Sequence, residues 1–170
     1  MTDQLQDLID KQAITELSYR YSRGCDRLDK ALIADVYWPD GTDDHGLFNG
    51  SATEYLDWVM GVLGGMVATH HDNTNILINL DGDQAAGEVH WTGYYQIEID
   101  GVSHDQLAVG RYIDRYQRRD GEWRILHRTC VTDWIRIEPT VRDLRDMPDQ
   151  KLVGKRGTDD LVYQRSTIGR

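Results

Sequence analysis

Apolar side chains at Leu5, Leu8, Ile9, Ile14, Leu17 and Tyr21 recur with helical spacing between Asp3 and about Arg23. Gly24 interrupts the pattern, and a second helical run follows from Asp29 to Trp38, closed by a Pro39-Asp40-Gly41 turn. Ser51-Ala-Thr-Glu54 is a capping box, in which the serine hydroxyl and the glutamate carboxylate satisfy backbone donors at a helix start. It opens a third helix that runs to about Val62, before Gly64-Gly65. From Asn75 the period changes from helical to strand-like. The runs Asn75–Leu80, Ala85–Ile99, Ser103–Arg119 and Trp123–Ile137 are rich in β-branched and aromatic residues, and Asp81-Gly82, Asp100-Gly101 and Asp120-Gly121 separate them. Asp-Gly between such runs is a strong hairpin signal. The pattern predicts a four-stranded antiparallel meander, with a short strand near Gly46–Phe48 completing an edge. Strands this long twist and curl, leaving one face to receive the N-terminal helices. The expected class is therefore α+β. After Glu138-Pro139 the pattern dissolves into charges and short apolar islands (Leu144, Met147, Leu152, Val153, Leu161, Val162, Tyr163), which reads as an irregular tail over the sheet's mouth or a neighbouring subunit. The division expected is a domain over 1–137 and a tail over 138–170.

At 170 residues, the chain suits one domain with one hydrophobic core. Its 39% apolar and 28% charged residues fit an ordinary globular protein and argue against disorder. No apolar run approaches the roughly 18–20 residues that span a bilayer, and the acidic N-terminus does not read as a signal peptide, so a cytoplasmic location is expected. A net charge of −10 disfavours nucleic acid and acidic membranes as partners, leaving a small molecule as the expected ligand. Five Trp and nine Tyr against one Phe suit a half-wet pocket or an interface. Cys25 and Cys130 show no metal-ligand spacing and read as small buried residues. Asp43, Asp44, His45, His70 and His71 are ligand types for zinc or iron, but Asp43-Asp44-His45 reads as loop and no His-x-x-x-His or Cys-x-x-Cys supports a metal site. Neither a dinucleotide fingerprint nor a Gly-x-Ser-x-Gly elbow is present.

A curved sheet capped by helices encloses a conical cavity, and three polar residues stand out as candidates to enter it. Asp26 follows the first helix, His71 precedes the first long strand, and Arg128 lies within the last. Carboxylate, imidazole and guanidinium together make a proton-abstraction device: the carboxylate orients the imidazole, the imidazole takes the proton, and the arginine steadies negative charge. His70 competes with His71, and His127 with Arg128, because neighbours on a strand face opposite ways. Tyr94, Trp38, Trp134 and Asn75 are candidates for the substrate-binding lining, although such tryptophans also serve cores and interfaces.

The ordered set Arg20-Tyr21…Asp26-Arg-Leu-Asp29, Tyr37-Trp-Pro-Asp40-Gly…His45-Gly46, Thr69-His-His71…Asn75, Gly82-Asp83-Gln-Ala85 and Arg119-Asp-Gly121-Glu-Trp123-Arg resembles the SnoaL-like family. That family belongs to the nuclear-transport-factor-2-like superfamily of conical barrels. The likeness runs over about residues 5–137 and is greatest to the branch holding scytalone dehydratase, hexachlorocyclohexane dehydrochlorinase and bile-acid 7-alpha-dehydratase. It implies a lyase without metal or cofactor, in which an Asp–His pair at Asp26 and His71 abstracts a proton and a leaving group departs. It further implies that Tyr21, five residues before the aspartate, assists, and that Arg128 matches the arginine of the dehydrochlorinase. Where the bile-acid enzyme has another carboxylate, this chain offers Thr92, Tyr94 and Tyr95. The substrate class expected is small and cyclic or aromatic, losing water, halide or a one-carbon fragment such as formaldehyde. Rival expectations are an isomerase of the ketosteroid type and a non-catalytic ligand-binding module. A homo-oligomer, trimer or dimer, is expected from the long sheet and from aromatic positions such as Trp91 and Tyr112.

Overall fold

A computed structural model describes residues 3–143 and 153–164. The chain order is α1 (Asp3–Arg27), α2 (Lys30–Val36), β1 (Tyr37–Asp44), β2 (Asn49–Ser51), α3 (Ala52–Gly64), β3 (Ala68–Asp81), β4 (Gln84–Ile99), β5 (Val102–Arg119), β6 (Glu122–Pro139) and the short α4 (Leu161–Gln164). The six strands form one curved, unclosed sheet in the order β2-β1-β6-β5-β4-β3. Every pairing is antiparallel except β1 with β6, which is parallel. The architecture is α+β, with a mixed sheet that stops short of a closed barrel.

Sequence chemistry accounts for most of these elements. Ile14, Leu17, Tyr21 and Cys25 form one buried stripe along α1. The helix runs through Gly24, whose missing Cβ leaves room for Ile33 of α2: an added carbon would lie 2.5 Å from its side chain. The capping box forms at α3, where Ser51 accepts from the Glu54 backbone and Glu54 accepts from the Ser51 backbone. At two hairpins, Asp100-Gly101 and Asp120-Gly121 carry positive φ at both corners, as a tight two-residue turn requires. At the third, the two-residue turn is Gly82-Asp83, one place later than the dipeptide suggests, with positive φ at Gly82.

Four expectations are corrected. The second helix stops at Val36, because Tyr37 to Asp44 pair with β6 instead of turning at Pro39-Asp40-Gly41. The edge strand lies at Asn49–Ser51, after Gly46–Phe48, and Asp43-Asp44 belong to β1 instead of a loop. The first long strand starts at Ala68 instead of Asn75, which places His70 and His71 within it.

The core fills the concave face between sheet and helices, where Val89, Tyr112, Tyr116, Trp123 and Ile125 meet Ile14, Leu17, Ile33, Val36 and Tyr55. Of the tail, residues 153–164 turn back over the helices: Arg27 donates to the Lys155 carbonyl at 2.8 Å and Tyr163 to Asp29 at 2.8 Å. Arg156 donates at 2.7 Å to the carbonyls of Leu63 and Met66, at the exit of α3. Leu144, Met147 and Leu152 lie outside the described residues. No described helix is long and apolar enough to cross a membrane.

Candidate functional site

The concave face holds a cavity of about 190 Å³, walled largely by aromatic rings: Tyr21, Tyr55, Trp58, Trp91, Tyr95 and Tyr112. Strand alternation selects the wall. Register pairs Thr69 with Tyr95 and Gln106, and His71 with Gly93 and Ala108, so these rows share the inward face. His71 therefore faces the cavity, while His70 is 63% exposed and sits against Asp72.

His71 and Asp26 meet. The imidazole Nδ1 is 2.7 Å from Asp26 Oδ1, and the pair is nearly enclosed. The same carboxylate accepts from the His71 backbone N–H at 3.0 Å and from the Thr69 hydroxyl at 3.0 Å. Burial pushes the Asp26 carboxyl upward. The hydrogen bond and charge of His71, its backbone N–H and Thr69 together outweigh burial and hold the group below the ordinary carboxylate range. An ionised Asp26 fixes the proton on Nδ1 and leaves Nε2 to act. The Tyr95 hydroxyl lies 3.1 Å from that nitrogen. Burial raises Tyr95, as it raises Tyr21, Tyr55 and Tyr112 well above the ordinary phenol range, so all four stay protonated.

Tyr95 reaches His71 because Gly93 lies beneath its ring. A Cβ at position 93 would stand 2.1 Å from the Tyr95 hydroxyl and 2.4–2.6 Å from ring carbons. Tyr21 does line the cavity, but its hydroxyl is hydrogen-bonded to that of Tyr55 instead of to His71.

Arg128 is placed behind the wall. A register shift next to Leu126 changes the alternation of β6, burying Arg128 completely and leaving His127 bonded to Thr42 and Thr129. Its guanidinium lies 4.4 Å from the Tyr21 ring centre and 3.9 Å from that of Tyr112, and it donates to Asp114 at 2.8 and 2.7 Å. Burial opposes its charge, and Asp114 more than restores it. The arginine thus acts as a pillar under two lining tyrosines.

Four expected lining residues lie elsewhere. Tyr94 is the outward neighbour of Tyr95 and lines a separate concavity on the other face with His70, Leu107 and Arg136. Trp38 donates to the Gln117 carbonyl and is flanked by Arg119 and Arg124. Trp134 is half exposed beyond the irregularity at Val109/Gly110, and Asn75 sits exposed with positive φ at a register shift of β3. Trp91 and Tyr112, read as exposed interface positions, are buried in the inner wall. Residues not singled out along the chain are Tyr55, Trp58 and, as more than metal-ligand types, Asp43 and His45, while Tyr95 enters only beside Thr92 and Tyr94. The available signal was the Asp-x-His spacing, which on a strand end turns both side chains to one side. Among the described residues no three His, Cys, Asp or Glu side chains gather as metal ligands. Burial pushes the Cys25 and Cys130 thiols up to about 12.

The sequence profile of the SnoaL-like domain matches residues 6–129. No curated protein matches the chain. Solved structures of similar fold include the hexachlorocyclohexane dehydrochlorinase LinA-type3 from Novosphingobium barchaimii, with 21% identity, TM-score 0.73, and 83% of this chain and 97% of that one covered. A protein provisionally assigned as a scytalone dehydratase, from Novosphingobium aromaticivorans, has 21% identity and TM-score 0.70, covering 84% and 99%. A protein of unknown function with a cystatin-like fold, from Nostoc punctiforme, has 19% identity and TM-score 0.63, covering 74% and 92%.

Proposed function

The chain belongs to the SnoaL-like domain family, and on that footing we propose that it is a lyase needing no cofactor, acting on a small aromatic or cyclic substrate held in the cavity. The observation that carries this reading is the Asp26–His71 pair, nearly closed to water, with its second imidazole nitrogen, bonded to Tyr95, against an aromatic chamber of about 190 Å³. The dehydrochlorinase and the assigned dehydratase among its structural neighbours are in keeping with it.

In this mechanism Asp26 holds the Nδ1 proton, and His71 Nε2 removes a proton from carbon or from a hydroxyl group of the substrate. The Tyr95 hydroxyl gives its hydrogen bond to Nε2 at rest; once Nε2 carries a proton, the same oxygen accepts from it. The charge of Asp26 offsets that of the imidazolium, so the proton stays on nitrogen while the leaving group departs. Positioned acid–base groups of this kind contribute about 10²–10⁴-fold, and the aromatic walls supply orientation and exclusion of water.

The test is a mass-spectrometric screen of hydroxylated and halogenated cyclic compounds and lignin-type diaryl compounds, with no metal or cofactor added. Loss of water, halide or formaldehyde that vanishes in His71→Ala supports the reading. Turnover that survives in His71→Ala removes that histidine as the base, and conservation of mass in the product points to an isomerase instead.

A further inference from the structure

A second imidazole–carboxylate pair faces the same cavity, and the base mechanism does not use it. Asp43, on β1, is completely buried. One carboxylate oxygen accepts from the Tyr37 hydroxyl at 2.6 Å, and the other is hydrogen-bonded to His45 Nδ1. His45 stacks on the Tyr55 ring at 4.7 Å, with its Nε2 3.2 Å from the Tyr55 hydroxyl, which in turn meets Tyr21. His45 and His71 approach from distant parts of the strand order, the end of β1 and the edge strand β3, and both line the cavity because the sheet curls. A buried carboxylate is costly unless it is well bonded; Asp43 has Arg128 as its register neighbour on β6, and its second hydrogen-bond partner is an imidazole at the cavity wall.

The two pairs leave a division of labour that the leaving group decides. A halide departs as a stable anion and needs no proton. A hydroxide or alkoxide is strongly basic and departs only as a proton reaches it. We propose that His45, held by Asp43, is the general acid for the elimination, and that the substrate therefore loses an oxygen leaving group, as a β-hydroxy or β-alkoxy carbonyl compound would. The assignment rests on the lyase reading above. In the step, His71 Nε2 takes the proton from the carbon next to the carbonyl, and the C–H electron pair becomes the new C=C bond. The C–O bond breaks with its electrons on oxygen, which takes the Nε2 proton of His45, entering the step as the imidazolium with Asp43 as its counter-charge, and leaves as water or alcohol; His45 is left neutral, with its Nδ1 proton hydrogen-bonded to Asp43. One proton has then moved from His45 to His71, and exchange with solvent resets both. Asp43 is a positioning residue that keeps Nε2 of His45 turned to the substrate, with Tyr55 as its resting partner.

The experiment uses β-hydroxypropiophenone and β-chloropropiophenone, which share a skeleton and yield the same vinyl ketone, followed by absorbance with uncatalysed chloride loss subtracted. His45→Gln is expected to lower kcat on the hydroxy compound by about 10²-fold or more while changing the chloro compound by less than about threefold. Asp43→Asn follows the same selective pattern with a smaller loss, and added imidazole restores the hydroxy reaction to His45→Gly, which a merely misfolded variant would not allow. His71→Ala abolishes both reactions. Equal loss on the two compounds in His45→Gln, or loss on neither, overturns the general-acid assignment while the His71 result leaves the lyase reading standing. A wild-type protein inactive on both compounds, or an unimpaired His71→Ala, overturns the lyase reading and this assignment with it.

Discussion

Replacing Asp114 by Asn tests whether Arg128 is a buried pillar of the fold. Both side chains are fully enclosed. Asp114 accepts two hydrogen bonds from the guanidinium, at 2.8 and 2.7 Å, and one from Tyr116 at 2.7 Å. Asparagine keeps the shape and a single acceptor oxygen. With its oxygen at the Oδ2 site the amide keeps Arg128 Nη2 and Tyr116, but its nitrogen then faces the Arg128 Nε–H, donor against donor, and the arginine charge loses its paired carboxylate under the Tyr21 and Tyr112 rings. Breaking a buried pair from one side costs about 3–5 kcal/mol. For a chain of this length each kcal/mol is about 2–4 °C in Tm, so the expected fall is about 6–20 °C. Urea and thermal unfolding, followed by circular dichroism, measure it. Adding Arg128→Met removes the stranded charge, so the double variant is expected to be at least about 1 kcal/mol more stable than the two single losses summed. A loss below about 1 kcal/mol in Asp114→Asn, or strict additivity in the cycle, would refute the pillar.

Three further expectations concern the His71 end of the cavity. Asp26→Asn should lower the elimination rate by about 10²–10⁴-fold, and a rate within a few-fold of wild type would remove Asp26 from the mechanism. Asp26 also shapes acid stability: its native pKa lies below the ordinary 3.8, so its contribution is present above about pH 4 and is lost as pH falls through the native value. Asp26→Asn should thus be less stable at neutral pH and flatter on the acid side, and parallel curves below pH 4 would contradict the assignment. Gly93→Ala should swing the Tyr95 ring off His71 at a cost of about 1–3 kcal/mol, read as lower Tm and slower turnover; unchanged values of both would show that the ring has other room.

Much of this molecule is legible along the chain where a signal is local. The three hairpin turns, the capping box at Ser51 and the buried stripe of α1 each follow from a few neighbouring residues. What stays hidden depends on pairing between distant segments. Tyr37-Trp-Pro-Asp-Gly41 reads as a turn because nothing in it announces a parallel partner at Ile125–Thr129. Asp43 and His45 consequently read as loop residues, and a hydrogen-bonded pair at the cavity passes for scattered metal-ligand types. The choice of Tyr94 over Tyr95 is a slip of one residue, which on a strand exchanges inside for outside. The register shift beside Leu126 has the same effect on β6, and no periodicity count reveals it.

The lone parallel pairing also sets an order of assembly. Strands β3 to β6 join through successive two-residue turns, so their contacts close short loops. β1 must instead find β6 from beyond all three hairpins, a closure with far greater entropic cost before any reward. Pulse-labelled hydrogen exchange should accordingly protect amides of β4 and β5 before those of Tyr37–Asp44, and the reverse order would contradict this. In that order of assembly the docking of β1 carries Asp43 and His45 to the cavity last, so that a chain halted one step short would hold the proposed base without the proposed acid. On the proposed lyase reading, such a chain could bind before it could turn over, and the newly made protein would gain its chemistry all at once, when the final strand docks.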